Sequence, residues 1–263
     1  LLFDSRPPMH FDILCLNIGS VPEVKFDGAL SIKPISEFET QLDYFDQNIV
    51  PGSDLAIVGS GAAGIELSFA LRARYKNQVA INLIGKDLAP GIKDSARQIF
   101  LKEFLRKEIR FIQDRVTDFN GKTLILDSGT EITANYVIQA TNVVAQSWIR
   151  SSGMETDSKG FIRVNNNLQS VSHPKIFAAG DTVCLEGQER PKSGVFAVRA
   201  AKFLIHNLVS FLAGKKMKTY RAQKHQLALI NVCDGTAIAI RGKHVSHRKI
   251  WWHYKNYVDK RFV

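Results

Sequence analysis

The chain has 263 residues, 45% of them hydrophobic, which is enough for a packed core and points to one large or two modest domains. Its three cysteines (Cys15, Cys184 and Cys233) form no CxxC or other close pair, which disfavours a zinc site or vicinal redox disulfide and suits a reducing cytoplasm; no stretch approaches the roughly 20 apolar residues of a bilayer span, and no secretory signal opens the sequence. The formal charge of +10 resides in residues 215–263, where twelve Lys plus Arg face two acids, so this tail suits something anionic: a membrane surface, an acidic partner or nucleic acid.

In chain order, residues 11–17 form a short apolar run that reads as a buried strand entering a turn at Gly19. Residues 36–48 read as a helix, with Ser36 as cap and Glu39 closing a capping box. Leu55, Ala56, Ile57 and Val58 then make a buried strand that runs directly into glycines. A helix is predicted over 63–75, burying Ile65, Leu67, Phe69, Ala70 and Leu71, followed by a strand over 79–84 and an amphipathic helix over 94–107. Residues 111–112, 116–119, 123–126 and 131–133 read as short antiparallel strands, with turns at Asn120-Gly121 and Ser128-Gly129. Strands are predicted at 136–139 and 176–179, and a long helix over 195–212 closed by Gly214. The tail reads as strands at 227–232 and 237–240 and then an aromatic, basic helix from about residue 250. The alternation in the middle of the chain argues for a parallel sheet, and the tail for a small α+β unit.

The motif that carries chemistry is Gly59-Ser60-Gly61-Ala62-Ala63-Gly64, set between a buried strand and a helix and followed by a second strand. In that context Gly59 permits the tight turn, Gly61 lets backbone approach a pyrophosphate, and Gly64 lets helix and strand pack closely, while amides at the helix start, including those of Ala62 and Ala63, face the phosphates. Related strand-turn-helix nucleotide sites, including methyltransferase-type ones, share the pattern. An acid after the second strand would hold the adenosine ribose. This chain has Ile84-Gly85-Lys86-Asp87 there: Lys86 suits a 2′-phosphate and Asp87 a ribose, so NADPH and NADH both stay open. His10, His173, His206 and His225 are scattered and read as structural or surface residues.

Residues 59–64 followed by Glu66, then Tyr136-Val137-Ile138-Gln139-Ala140-Thr141-Asn142, then Ile176-Phe177-Ala178-Ala179-Gly180-Asp181, resemble the two-dinucleotide-binding-domain flavoproteins of the pyridine nucleotide-disulfide oxidoreductase superfamily. Asn142 stands where that family commonly has glycine after Ala-Thr. Within it, the chain is similar to the type II NADH dehydrogenase-like branch. The strings DILCLNIG (12–19), RPKSGVFAVR (190–199) and WWHYKNYVDKRF (251–262) resemble the flavoprotein module fused to selenide, water dikinase.

This resemblance implies an α/β fold in which a Rossmann-like NAD(P)-binding domain (51–142) is inserted in a truncated FAD-binding domain (1–50 and 143–214), with a small C-terminal α+β unit (215–263). It implies FAD and NAD(P)H as cofactors and places Gly59, Gly61, Ala62, Ala63 and Gly64 at the nicotinamide nucleotide, with Glu66 at its nicotinamide end, and Lys86 and Thr141 are further cofactor-binding candidates. Asp181, with Gly180, would hold the flavin ribitol or a nearby phosphate. Gly19 would pass beside the flavin, and Gly194 and Val195 would begin a helix facing the flavin pyrimidine. The family's opening FAD-pyrophosphate turn is absent from these residues, and a fragment of a longer protein is the favoured explanation.

The activity implied is hydride transfer from NAD(P)H to flavin and on to a quinone or small molecule. It requires no catalytic side-chain pair and no metal. The alternative is a nicotinamide-nucleotide-binding module without flavin, acting through a fused or associated domain. No nucleic-acid partner is expected. The protein is expected in the cytoplasm; Trp251, Tyr254, Val258 and Phe262 fall at helical spacing, a face that suits packing against the chain's own body first and peripheral contact with the inner face of a membrane second.

Overall fold

The computed structural model describes residues 1–23, 26–188, 190–223 and 226–260. His225, Arg261 and Phe262, all read from the sequence above, lie outside them. The chain forms two compact units, one from Leu1–Val21 and Val143–Lys224, the other from Pro22–Asn142 and His225–Val263.

The second unit is built on a five-stranded parallel sheet, ordered Leu30–Ser31, Tyr136–Gln139, Ser53–Val58, Val79–Ile84, Ile109–Ile112. Ser53–Val58 is covered on both faces, which explains its unbroken apolar run. Leu55 and Ile57 join Ile65, Phe69, Phe100 and Phe104, which come from the helices Ala62–Tyr75 and Asp94–Arg106. The alternate residues Ala56 and Val58 meet Phe119, Leu124 and Leu126 of a three-stranded antiparallel sheet, Val116–Phe119, Thr123–Leu126 and Glu131–Thr133. This two-sided alternation follows from the period of two along a strand.

Three local expectations are corrected. Residues 111–112 belong to Ile109–Ile112, which pairs parallel with Val79–Ile84 rather than antiparallel with its successor. The first helix runs Ile35–Asn48 with extended Pro34 at its cap, and the Phe38 N–H donates to the Pro34 carbonyl at 3.2 Å. Ser36 therefore sits inside the first turn, where its carbonyl accepts from the Thr40 hydroxyl at 3.1 Å, and forms no capping box with Glu39. In the tail, Ala228–Asn231 and Ala237–Arg241 are joined by a third strand, His244–Arg248, before the helix Lys249–Asp259. Ile230, Val232, Ile238 and Ile240 enter the same core as the helices beside the parallel sheet.

In the first unit, Leu14–Leu16 pairs parallel with Ile176–Ala178, and Ile162–Val164 pairs parallel with Val183–Leu185. Against them packs the helix Gly194–Leu212, which sends Ala200 and Leu204 into the core and buries Asn207. That 19-residue helix is, by length and composition, apolar enough to cross a membrane, contrary to the sequence expectation. Asn207 shows what it does here: its side-chain amide donates to the Asn167 and Lys218 carbonyls at 2.9 and 2.8 Å and accepts from Lys218 N–H at 2.7 Å.

Candidate functional site

At the end of Ser53–Val58 the chain turns through Gly59, whose φ of +116° is disfavoured for residues with a side chain. A Cβ on Gly59 would stand 2.2 Å from the Ala140 carbonyl oxygen and 3.0 Å from the Thr141 nitrogen, so the turn lies directly on the neighbouring strand's exit. Thr141 accepts from the Gln139 side-chain amide at 3.0 Å. Gly64, in the first turn of the helix, is equally confined, since a Cβ there would stand 1.8 Å from the Gly59 carbonyl oxygen and 3.4 Å from Leu83.

Gly61 differs. It caps the helix in extended conformation, and apart from its chain neighbours no described atom lies within 4 Å of where its Cβ would stand. Ala62 and Ala63 are exposed beside it. The first helical turn therefore presents amides and a helix N-terminus to open space on a surface bearing only glycine and small alanine side chains, the arrangement that suits a diphosphate.

Ser60, which the sequence reading passed over, braces this corner. Its hydroxyl donates to the Asp87 carbonyl at 2.6 Å and its carbonyl accepts from Ala89 N–H at 2.9 Å. Ser60 also excludes any side chain at position 85, where a Cβ would meet its hydroxyl oxygen at 2.0 Å. Beyond it, exposed Lys86 and Asp87 line a cavity of about 380 Å³ with Gln113, Asp114, Arg115 and Asp127. The Ser128 hydroxyl and the Arg115 N–H hold the Asp114 carboxyl below its usual range. Arg115 and Asp127 follow later strands, so their convergence on Lys86 had no local signal in the sequence.

Glu66, one turn past the glycines, has partners from the C-terminal segment. Its carboxylate accepts from Asn231 N–H at 3.0 Å and pairs with the Lys255 ammonium at 3.2 Å. Burial works against the Lys255 charge, but Glu66 and Asp259 outweigh it and hold the ammonium above its usual value.

In the other unit, Gly180 and Asp181 follow strand Ile176–Ala178 in a short turn of 3₁₀ helix. A Cβ on Gly180 would stand 2.5 Å from the side-chain oxygen of Asn17, which follows the paired strand Leu14–Leu16. The Thr182 hydroxyl donates to the Gly19 carbonyl at 3.2 Å, and the Ser20 hydroxyl to the Asp181 carboxylate at 3.5 Å. Two parallel strands thus bring Asn17, Gly19, Ser20 and Asp181 to one end of this unit. Gly194 and Val195 begin the long helix, both exposed, after Ser193 at its cap. Just before it, the Lys192 ammonium donates to the Val183 carbonyl and lies 3.5 Å from the Phe161 ring centroid. Burial pushes that ammonium below its usual value, against the pull of Asp157, Cys184 and Asp181.

Residues 9–201 match the pyridine nucleotide-disulphide oxidoreductase family. The chain belongs to that family. Among its relatives, ferroptosis suppressor protein 1 of Taeniopygia guttata is 25% identical over 229 residues, covering 81% of this chain and 60% of that protein. Type II NADH:quinone oxidoreductase of Haemophilus influenzae is 25% identical over 234 residues, covering 82% of this chain and 52% of that protein. The chain thus spans between half and three fifths of the length of these relatives. In fold it is similar to the sulfide:quinone oxidoreductase of Aquifex aeolicus, with a TM-score of 0.75 at 16% identity over 98% of this chain and 70% of that one.

Proposed function

We propose that this chain carries the nucleotide and flavin sites of an FAD-dependent NAD(P)H oxidoreductase that delivers electrons to a quinone or another small acceptor. The observation that carries the reading is the corner at residues 59–64. Two glycines there are fixed by backbone within van der Waals reach, and the third faces open space at a helix N-terminus. Diphosphate oxygens would accept from the first amides of that helix, whose partial positive charge favours an anion. Lys86 and Arg115 are the cations of the adjoining cavity and would meet the adenosine end.

For FAD, the fit rests on the strand ends that gather Asn17, Gly19, Ser20 and Asp181, with Gly180 kept free of a side chain by Asn17 so that the two ends can meet. Asp181 and Gly19 would hold the ribitol side, and the amides at Gly194 and Val195 the pyrimidine end. Bound there, FAD supplies the two-electron redox chemistry; the protein orients the group and sets its electrostatics. The name of the Haemophilus influenzae relative supports a quinone as acceptor.

A second surface suits a membrane. The helix Lys249–Asp259 leaves Ile250, Tyr254 and Tyr257 exposed at helical spacing, flanked by Lys249 and Lys260, whereas Trp251 and Val258 of the expected face are half-buried and Phe262 lies outside the described residues.

Purified protein decides the main reading through its colour and its ligands. Absorbance near about 450 nm, bleached by NADH or NADPH, is expected of bound flavin. Colourless protein that still binds a nicotinamide nucleotide would leave a nucleotide-binding module without flavin, and protein that binds neither would overturn the reading.

A further inference from the structure

Glu66 lies on the glycine-turn helix, four positions beyond Ala62 and so about 6 Å along the axis from the first helical residue. A bare carboxylate at that distance opposes a bound diphosphate, because both are anionic and both share the partly covered surface of one helix. Lys255 answers it from a different element. Its ammonium is 3.2 Å from the Glu66 carboxylate, and its side chain is only 20% exposed, so solvent screens the pair less than a free surface pair. The helix bearing Lys255 is held in place by Trp251, whose indole N–H donates to the Ser246 hydroxyl at 2.9 Å. Asn231 N–H fixes the same Glu66 oxygen from the adjoining strand.

We propose that Lys255 is a positioning residue of the nucleotide site: it neutralises Glu66 and ties it to the C-terminal segment, so that the helix N-terminus meets the diphosphate without an opposing charge. This rests on the nucleotide reading above. In this role Lys255 acts through Glu66.

The test uses the whole purified chain and measures NADH and NADPH dissociation constants by calorimetry for wild type, Lys255→Met, Glu66→Gln and the double variant, at low and high salt. Lys255→Met should weaken binding by roughly 3–10-fold at low salt and by much less at high salt. Glu66→Gln placed in the Lys255→Met background should recover most of that loss, because the charge needing compensation is gone. A merely structural lysine would give a loss that salt does not shrink and that Glu66→Gln does not repair, which would overturn the proposal. Unchanged binding by Lys255→Met at low salt would overturn it as well. If wild type binds neither nucleotide, the nucleotide reading fails and takes this proposal with it, an outcome distinct from the other two.

Discussion

Gly64 and Gly59 approach so closely that a Cβ on the first would stand 1.8 Å from the carbonyl oxygen of the second, whereas a Cβ on Gly61 would meet no described atom within 4 Å beyond its chain neighbours. The three glycines of one motif are thus separable by mutation. Gly64→Ala must push helix from strand and is expected to lower the thermal midpoint by several degrees, consistent with a cost of about 1–3 kcal/mol for overpacking. Gly61→Val leaves that packing alone but fills the open face. It should melt close to wild type yet lose at least about tenfold in nucleotide affinity, the equivalent of ~1.4 kcal/mol. Thermal melts paired with nucleotide titration separate the two effects.

Arg72 locks the far end of the same helix. Its guanidinium donates to the Lys76 carbonyl, to the Val79 carbonyl at 2.9 Å and to the Glu108 carbonyl at 2.8 Å, joining the helix end to the first residue of one strand and the residue preceding another. Arg72→Met would leave these carbonyls without their donor and should destabilise the protein by about 2–4 kcal/mol, seen as a lower midpoint in urea with little change in slope.

Acid should weaken the attachment of the C-terminal hairpin. Burial opposes ionisation of Asp234, but bonds from Thr236 and Arg106 and the charge of Lys107 outweigh it and hold the carboxyl down to about 2. A carboxyl lowered by folding stabilises the protein fully above its unfolded value near 4, and that contribution disappears as pH falls from about 4 to 2. The expected size is ~1–2 kcal/mol, reduced from the full linkage value because Arg106 is half exposed. Asp234→Asn should therefore melt below wild type at pH 6, and the two should converge near pH 2.

The exposed face of the last helix predicts membrane contact. With Ile250 64% and Tyr257 57% exposed beside basic residues, the protein should sediment with vesicles rich in anionic phospholipid and less with neutral ones. Replacing Ile250 and Tyr257 with serine should remove most of that binding and leave the Lys255 contact to Glu66 intact. Binding that ignores both lipid charge and these substitutions would dismiss the membrane surface.

The strand, turn and helix around residues 55–75 were legible because each level of signal agrees: an unbroken apolar run, glycines at fixed offsets and a helical apolar face. The partners of Ile109–Ile112 were not, because a four-residue segment interrupted by Arg110 carries no mark of which neighbour it joins, and the parallel pairing is decided by the helix Asp94–Arg106 that returns the chain to the sheet. His244–Arg248 was missed because its alternation rests on one apolar residue, Val245, and the strand lies at a sheet edge where polar residues are tolerated. At the site, glycines announce themselves by local pattern. Asn17 at Gly180, Ser60 under Gly85, and Lys255 on Glu66 do not, since each is an ordinary polar residue made specific by contact with a distant or adjoining segment.

The unit that holds the glycine corner is assembled from two stretches of chain, with residues 143–224 passing between them as part of the other unit. Ile230, Val232, Ile238 and Ile240 complete the core that Leu55 and Phe69 begin. During synthesis that core waits, its apolar wall uncovered, until the ribosome has released the late hairpin. Translation halted near residue 224 would therefore leave a sticky intermediate rather than a smaller working nucleotide binder, and late synthesis is the stage at which this chain most needs protection from aggregation.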